Sequence, residues 1–111
     1  MNYVLKGRKI ELESGRELSF KFKIHEAVEI GEVIVVCLEV PRNRKLAENV
    51  YAITLDGKLV WQVPKTPHAT KDAYYVGIEK AAGLVRAFNY DGMVHELDPK
   101  TGRILKQYFG K

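Results

Sequence analysis

The sequence predicts an all-β fold, an antiparallel meander of about nine strands. Three observations point there. Apolar residues alternate with polar ones at a period of two over most of the chain. The reversals carry turn chemistry, above all Asp56-Gly57 and Asp91-Gly92. No stretch carries the periodic apolar stripe of a helix. At 111 residues the chain is expected to be one domain, 1–111. Residues 1–48 read as a first sheet and a loop, and 49–111 as repeat-containing hairpins.

The strands follow in order. "KIELESGRELSFKFKI" reads as a hairpin about Ser14-Gly15, with Ile10 and Leu12 facing Leu18, Phe20, Phe22 and Ile24. Continued alternation would send Lys21 and Lys23 to the side opposite the rings. "EVIVVCLEV" (32–40) is apolar on both sides, Val33, Val35 and Cys37 on one and Ile34, Val36, Leu38 and Val40 on the other. A strand dressed that way is covered on both faces and lies centrally. "PRNRKLAEN" (41–49) is a loop opened by Pro41. Strands 49–55 and 58–63 flank Asp56-Gly57, a pair that favours a type I′ turn with positive φ at both central residues. "PKTPHATKD" (64–72) is a second Pro-framed loop. Strand 73–79 turns back through "KAAG", and 84–90 and 93–97 form a hairpin about Asp91-Gly92. "DPKTG" (98–102) is a longer turn before the last strand, 103–109.

One phrase is written twice. "VYAITLDGKL" (50–59) returns thirty-five positions later as "VRAFNYDGMV" (85–94), sharing Val50/Val85, Ala52/Ala87, Asp56/Asp91 and Gly57/Gly92. "ELDPKTGRIL" is a third, longer-looped version. A period of this length in an all-β chain suggests propeller blades.

"YAITLDGKLVW" and "ELDPKTGRIL" resemble the repeats of PQQ-like (quinoprotein-type) β-propellers. The resemblance covers about residues 49–109 and implies that Trp61 packs between blades. The equivalent places in the other two copies fall near His95 or Glu96 and near Lys106, so only one of three keeps the aromatic. A propeller needs four or more blades to close, and this chain has material for about two. The expected form is therefore two blade-like sheets packed as an open sandwich or partial propeller, or a homodimer that covers the exposed edges. The quinone site of such proteins lies at the centre of a closed propeller, so no cofactor is expected. The longer pattern, from "ENVYA" through "WQ" to "DG" and "TG", is similar to small stand-alone bacterial proteins of unknown role. That likeness implies an immunity-type binder.

Chemistry-bearing residues are sparse. Cys37 is the sole cysteine, inside a strand expected to be buried, so it reads as a small hydrophobe. His25, His68 and His95 lack metal-ligand spacing, and alternation puts His95 and Glu96 on opposite faces of one strand. Phosphate-cradling glycine loops and nucleophile-plus-base signatures are absent. No catalytic, metal or cofactor residue is assigned. The net charge of +4 is a mild basic bias.

The expected activity is that of a non-catalytic protein-binding module. Its candidate contact residues are Arg42, Arg44 and Lys45 in the basic loop, Trp61, and His68 in the second loop. One alternative is a ligand-binding or enzymatic domain with a pocket lined by Tyr74, Tyr75, Tyr90 and Trp61. Another is weak nucleic-acid binding through loop 41–48. The opening residues carry charges too early for a signal peptide, and no apolar run approaches a membrane span. The expected compartment is the cytoplasm.

Overall fold

The structure is a computed structural model that describes residues 3–65 and 73–110. Those residues form eleven strands and no helix, so nothing among them is a helix long and apolar enough to cross a membrane. The strands make three antiparallel sheets, each a meander of sequence neighbours. The first holds β1 (Tyr3–Lys6), β2 (Lys9–Leu12) and β3 (Glu17–Ser19). The second holds β4 (Ile24–Ile30), β5 (Val33–Leu38), β6 (Val50–Thr54) and β7 (Leu59–Gln62). The third holds β8 (Tyr75–Ala81), β9 (Leu84–Asn89), β10 (Met93–Leu97) and β11 (Ile104–Phe109). The all-β meander is as expected. Sequence reading finds nine of the strands. It passes over β1, which is short and largely exposed, and β4, whose "IHEAVEI" carries polar residues at its centre. Residues 1–48 are likewise not one sheet, because β4 and β5 join β6 and β7.

β5 explains the layering. Val35 and Cys37 enter one core with residues of the third sheet, among them Tyr75, Ile78, Val85, Ala87 and Leu97. Ile34, Val36, Leu38 and Val40 enter a second core with Ile10, Leu12, Phe22 and Ile24. The doubly apolar strand is thus the wall between two cores, as its sequence requires. The stack runs first sheet, second sheet, third sheet.

The Asp-Gly turns differ from expectation. Gly57 and Gly92 have φ of 95° and 93°, but Asp56 and Asp91 are not at positive φ. Gly57 N–H bonds Thr54 C=O at 3.1 Å, and Gly92 N–H bonds Asn89 C=O at 3.0 Å. These are three-residue reversals of the type I plus left-handed glycine kind. Side chains explain the choice. Asp91 N–H donates to Asn89 Oδ1 and Met93 N–H to Asp91 Oδ1, which the right-handed turn allows. The reversal with two positive φ values is instead Ala82-Gly83, at 52° and 78°.

The second and third sheets meet along a polar seam. Asn49, fully buried, donates from Nδ2 to Leu38 C=O at 2.7 Å and Tyr75 C=O at 2.8 Å. Its Oδ1 accepts from Tyr75 N–H at 2.8 Å. One side chain therefore acts as a piece of strand joining two sheets. Further along, both facing edges are irregular, with register shifts at Ile24/Glu26 and Tyr75/Gly77. Glu26 Oε1 accepts from Ile78 N–H at 2.8 Å. A buried backbone donor stranded by a bulge would otherwise go unpaired.

Trp61 closes the other end of this interface. Its indole N–H donates to Pro99 C=O at 2.8 Å, and its ring lies where a Cβ on Gly102 would stand, 2.5 Å away. Only glycine permits that approach at a residue that also has φ of 77°.

Two stability outcomes follow. Asn49→Ala strands the Tyr75 amide and two carbonyls and should cost about 2–4 kcal/mol in urea denaturation. Ala82→Asn places at an exposed left-handed position a residue that tolerates it, and should stabilise by about 0.5–1 kcal/mol in the same assay.

Candidate functional site

The basic loop 41–45 follows β5 directly. Arg42, Arg44 and Lys45 are exposed, and Arg44 N–H closes a turn onto Pro41 C=O at 3.0 Å. Sequence reasoning assigned no partner to this loop within the chain. The structure supplies one. The Arg44 guanidinium lies 5.2 Å from the centre of the Phe22 ring, and Lys21 Nζ lies 5.6 Å from the same ring. Alternation predicts Lys21 and Lys23 on the side away from the rings, and in exposure it holds: both lysines are exposed, while Phe22 and Ile24 are buried. β3 ends at Ser19, and residues 20–23 bend instead of continuing as strand. The bend is held by Phe20 N–H to Arg8 C=O at 2.8 Å and Ile24 N–H to Gly7 C=O at 2.9 Å. The strand therefore stops at residue 19, although the alternation of exposure runs on to Ile24.

The result is a basic strip assembled from two distant segments. Lys21, Lys23, Arg42 and Arg44 are all exposed. They fall in two short segments, 21–23 and 42–44, of a chain whose net charge is +4. Among the described residues none of the four forms an ion pair with a carboxylate, in contrast to Lys6 with Glu11 or Arg86 with Glu79 and Glu96. Two cations share one ring, whose quadrupole attracts each of them but cancels neither charge.

Beside the strip lies a groove of about 190 Å³ where the second and third sheets diverge. Leu38 and Val40 form one wall, and Tyr74, Tyr75 and Val76 the other. Exposed His25 and Glu39 complete the lining. The groove and the strip are continuous: Glu39 N–H bonds Lys23 C=O at 2.7 Å, and Val40 precedes Pro41-Arg42.

The remaining sequence candidates are placed as follows. Trp61 is buried against the 98–102 turn, so it is an internal packing residue and offers no contact surface. His68 lies outside the described residues. The aromatic pocket is only partly assembled. Tyr74 and Tyr75 line the groove, Tyr90 stands over Tyr74 with ring centres 5.5 Å apart, and Trp61 is elsewhere. Cys37 is fully buried, and desolvation followed by the charge of Glu26 pushes its thiol up to about 12. That thiol is no nucleophile at neutral pH. No group of three or more potential metal ligands occurs among the described residues.

Sequence reasoning missed a buried polar pair. Tyr75 Oη lies 2.7 Å from Nδ1 of His95, which is 1% exposed. His95 faces inward from β10, while Glu96 faces outward and accepts from Tyr108 Oη at 3.0 Å. Burial raises the Tyr75 phenol, with smaller contributions from Asp91 and other charges. Burial also lowers the His95 ring from its ordinary 6.5, against a weaker opposite pull from Asp91.

The fold and its surface define a class first. This is an all-β protein of stacked antiparallel meanders with a basic strip beside an intersheet groove. Residues 1–109 match the family described as domain of unknown function DUF7957, and the chain belongs to that family. Among solved structures it is similar to the computationally designed Ika8 protein, with a TM-score of 0.69 and 14% identity. The likeness covers 100% of this chain and 35% of that one, and it is a likeness of fold. No curated protein matches the chain.

The His95 environment sets a pH dependence. The unfolded chain takes up a proton near pH 6.5 that the folded chain binds only at lower pH. This contribution to stability is full above 6.5 and is lost as pH falls through the lowered folded value, with a slope of at most about 1.4 kcal/mol per pH unit. His95→Gln should flatten that part of the profile when urea denaturation is followed from pH 8 down to about 5, relative to the original chain.

Proposed function

We propose that this protein is a non-catalytic protein-binding module whose contact surface is the basic strip of Lys21, Lys23, Arg42 and Arg44. The observation that carries the reading is the gathering of four exposed cations from two segments that meet at the Phe22 ring, none of them paired with a carboxylate among the described residues. Such a field favours an acidic partner, steering its approach and rejecting basic surfaces. Loops on a rigid β scaffold are suited to this use.

Two observations weigh against the alternatives. The groove, at about 190 Å³, is below the roughly 300–1,000 Å³ of small-molecule sites. A single-strand nucleic-acid platform needs aromatic faces free for bases. Here Phe22 is buried under its two cations, and Phe20 packs on Tyr51 with ring centres 5.5 Å apart.

The resemblance of the repeats to PQQ-like propellers adds to the scaffold reading, since blade-like sheets in a stack leave their connecting loops for contacts. Within the binding role, an immunity-type function, with a toxin as the acidic partner, is the narrower form. A toxin gene beside the gene for this chain would support it.

Capture from extracts of the source cells, quantified by mass spectrometry, tests the reading. The original chain should enrich one or a few acidic proteins, and the Arg42→Glu, Arg44→Glu double variant should lose them. A Lys9→Glu control, altered on the first sheet, should keep them. Equal capture by all three chains would remove the basic strip as the contact surface.

A further inference from the structure

The intersheet groove and the basic strip are one surface with two chemistries. Five apolar or aromatic residues, Leu38, Val40, Tyr74, Tyr75 and Val76, supply the groove walls. Its volume of about 190 Å³ suits a single large side chain better than a cofactor. Glu39 is exposed in the lining and would repel a carboxylate placed there. The apolar walls would strip water from a charge of either sign, so the residue seated in the groove is uncharged. Immediately beyond Val40 the chain turns basic, at Arg42 and Arg44, and Lys23 is hydrogen-bonded through its carbonyl to Glu39. In an extended segment two residues span about 7 Å, so a side chain seated beside Val40 and one reaching toward Arg42 are about two positions apart.

The groove walls are also tied to each other across the two sheets. Leu38 and Tyr75 are the residues joined by the Asn49 side chain. A partner side chain entering beside this junction meets a preformed slot, which lowers the ordering cost of association.

From this continuity we infer that the partner presents an acidic, extended segment carrying one apolar anchor residue. The anchor enters the groove between Val40 and Val76, and the flanking carboxylates meet Lys23, Arg42 and Arg44. The inference rests on the protein-binding reading above and names the chemistry of its partner.

Fluorescence anisotropy with two labelled acidic peptides, alike except for a central leucine or serine, tests it. Burying the leucine should tighten binding to the original chain about tenfold relative to the serine peptide. Val76→Gln, at an exposed position, should erase most of that difference and leave the serine peptide unaffected. The Arg42→Glu, Arg44→Glu variant should weaken both peptides together and keep their ratio. Equal binding of the two peptides to the original chain overturns the anchor and leaves the basic-strip reading standing. Binding of neither peptide at low salt overturns both. Tighter binding of a labelled oligothymidylate than of either peptide also overturns both, in favour of phosphate recognition.

Discussion

The arrangement of the second and third sheets centres on one buried amide, the side chain of Asn49. Asn49 ends the loop after β5, and its side chain bonds Leu38 in its own sheet and both backbone groups of Tyr75 in the next. Apolar contact between the sheets is strong but does not fix their relative position. The amide does, because its donors and acceptor are satisfied in one geometry and cost dearly in any other. The Glu26 carboxylate on the Ile78 amide repeats the device where the edge strands bulge. Trp61 against Pro99 pins the far end. Between these points the third sheet is held by Val85, Ala87 and Leu97 against Val35, Cys37, Val50 and Ala52.

The surface described above follows from that arrangement. Asn49 holds Leu38 beside Tyr75, and the groove opens at this junction, with both residues in its lining. Because β5 ends there, the loop that follows emerges at the groove and carries its arginines with it. The first sheet then supplies Lys21 through the bend at 20–23. Three sheets thus contribute to one face, although only one loop of it looked basic in sequence.

The histidine, the cysteine and the tyrosine at the centre illustrate a different point. His95, Tyr75 and Cys37 would read as chemistry if they were exposed. Burial turns each toward its neutral form, and their partners are one another, the backbone or the Asn49 amide. They add specificity to the packing and a pH dependence to its stability.

Alternation and turn residues alone determined that this chain is a β meander, that β5 divides two cores, and that Gly57 and Gly92 reverse the chain. Those features depend on neighbours a few residues apart, which a sequence displays directly. The basic loop was legible for the same reason; the burial of Trp61 was not, since the sequence also offered it as a contact residue. Tertiary structure alone decided the rest. The bend that lays Lys21 over Phe22 comes from hydrogen bonds to Gly7 and Arg8, a strand away. The roles of Asn49, Glu26 and the Tyr75–His95 pair arise from contacts between residues 20 to 52 positions apart. A polar residue in a strand or loop looks solvated in sequence. Only the approach of a second sheet shows which backbone groups it must satisfy.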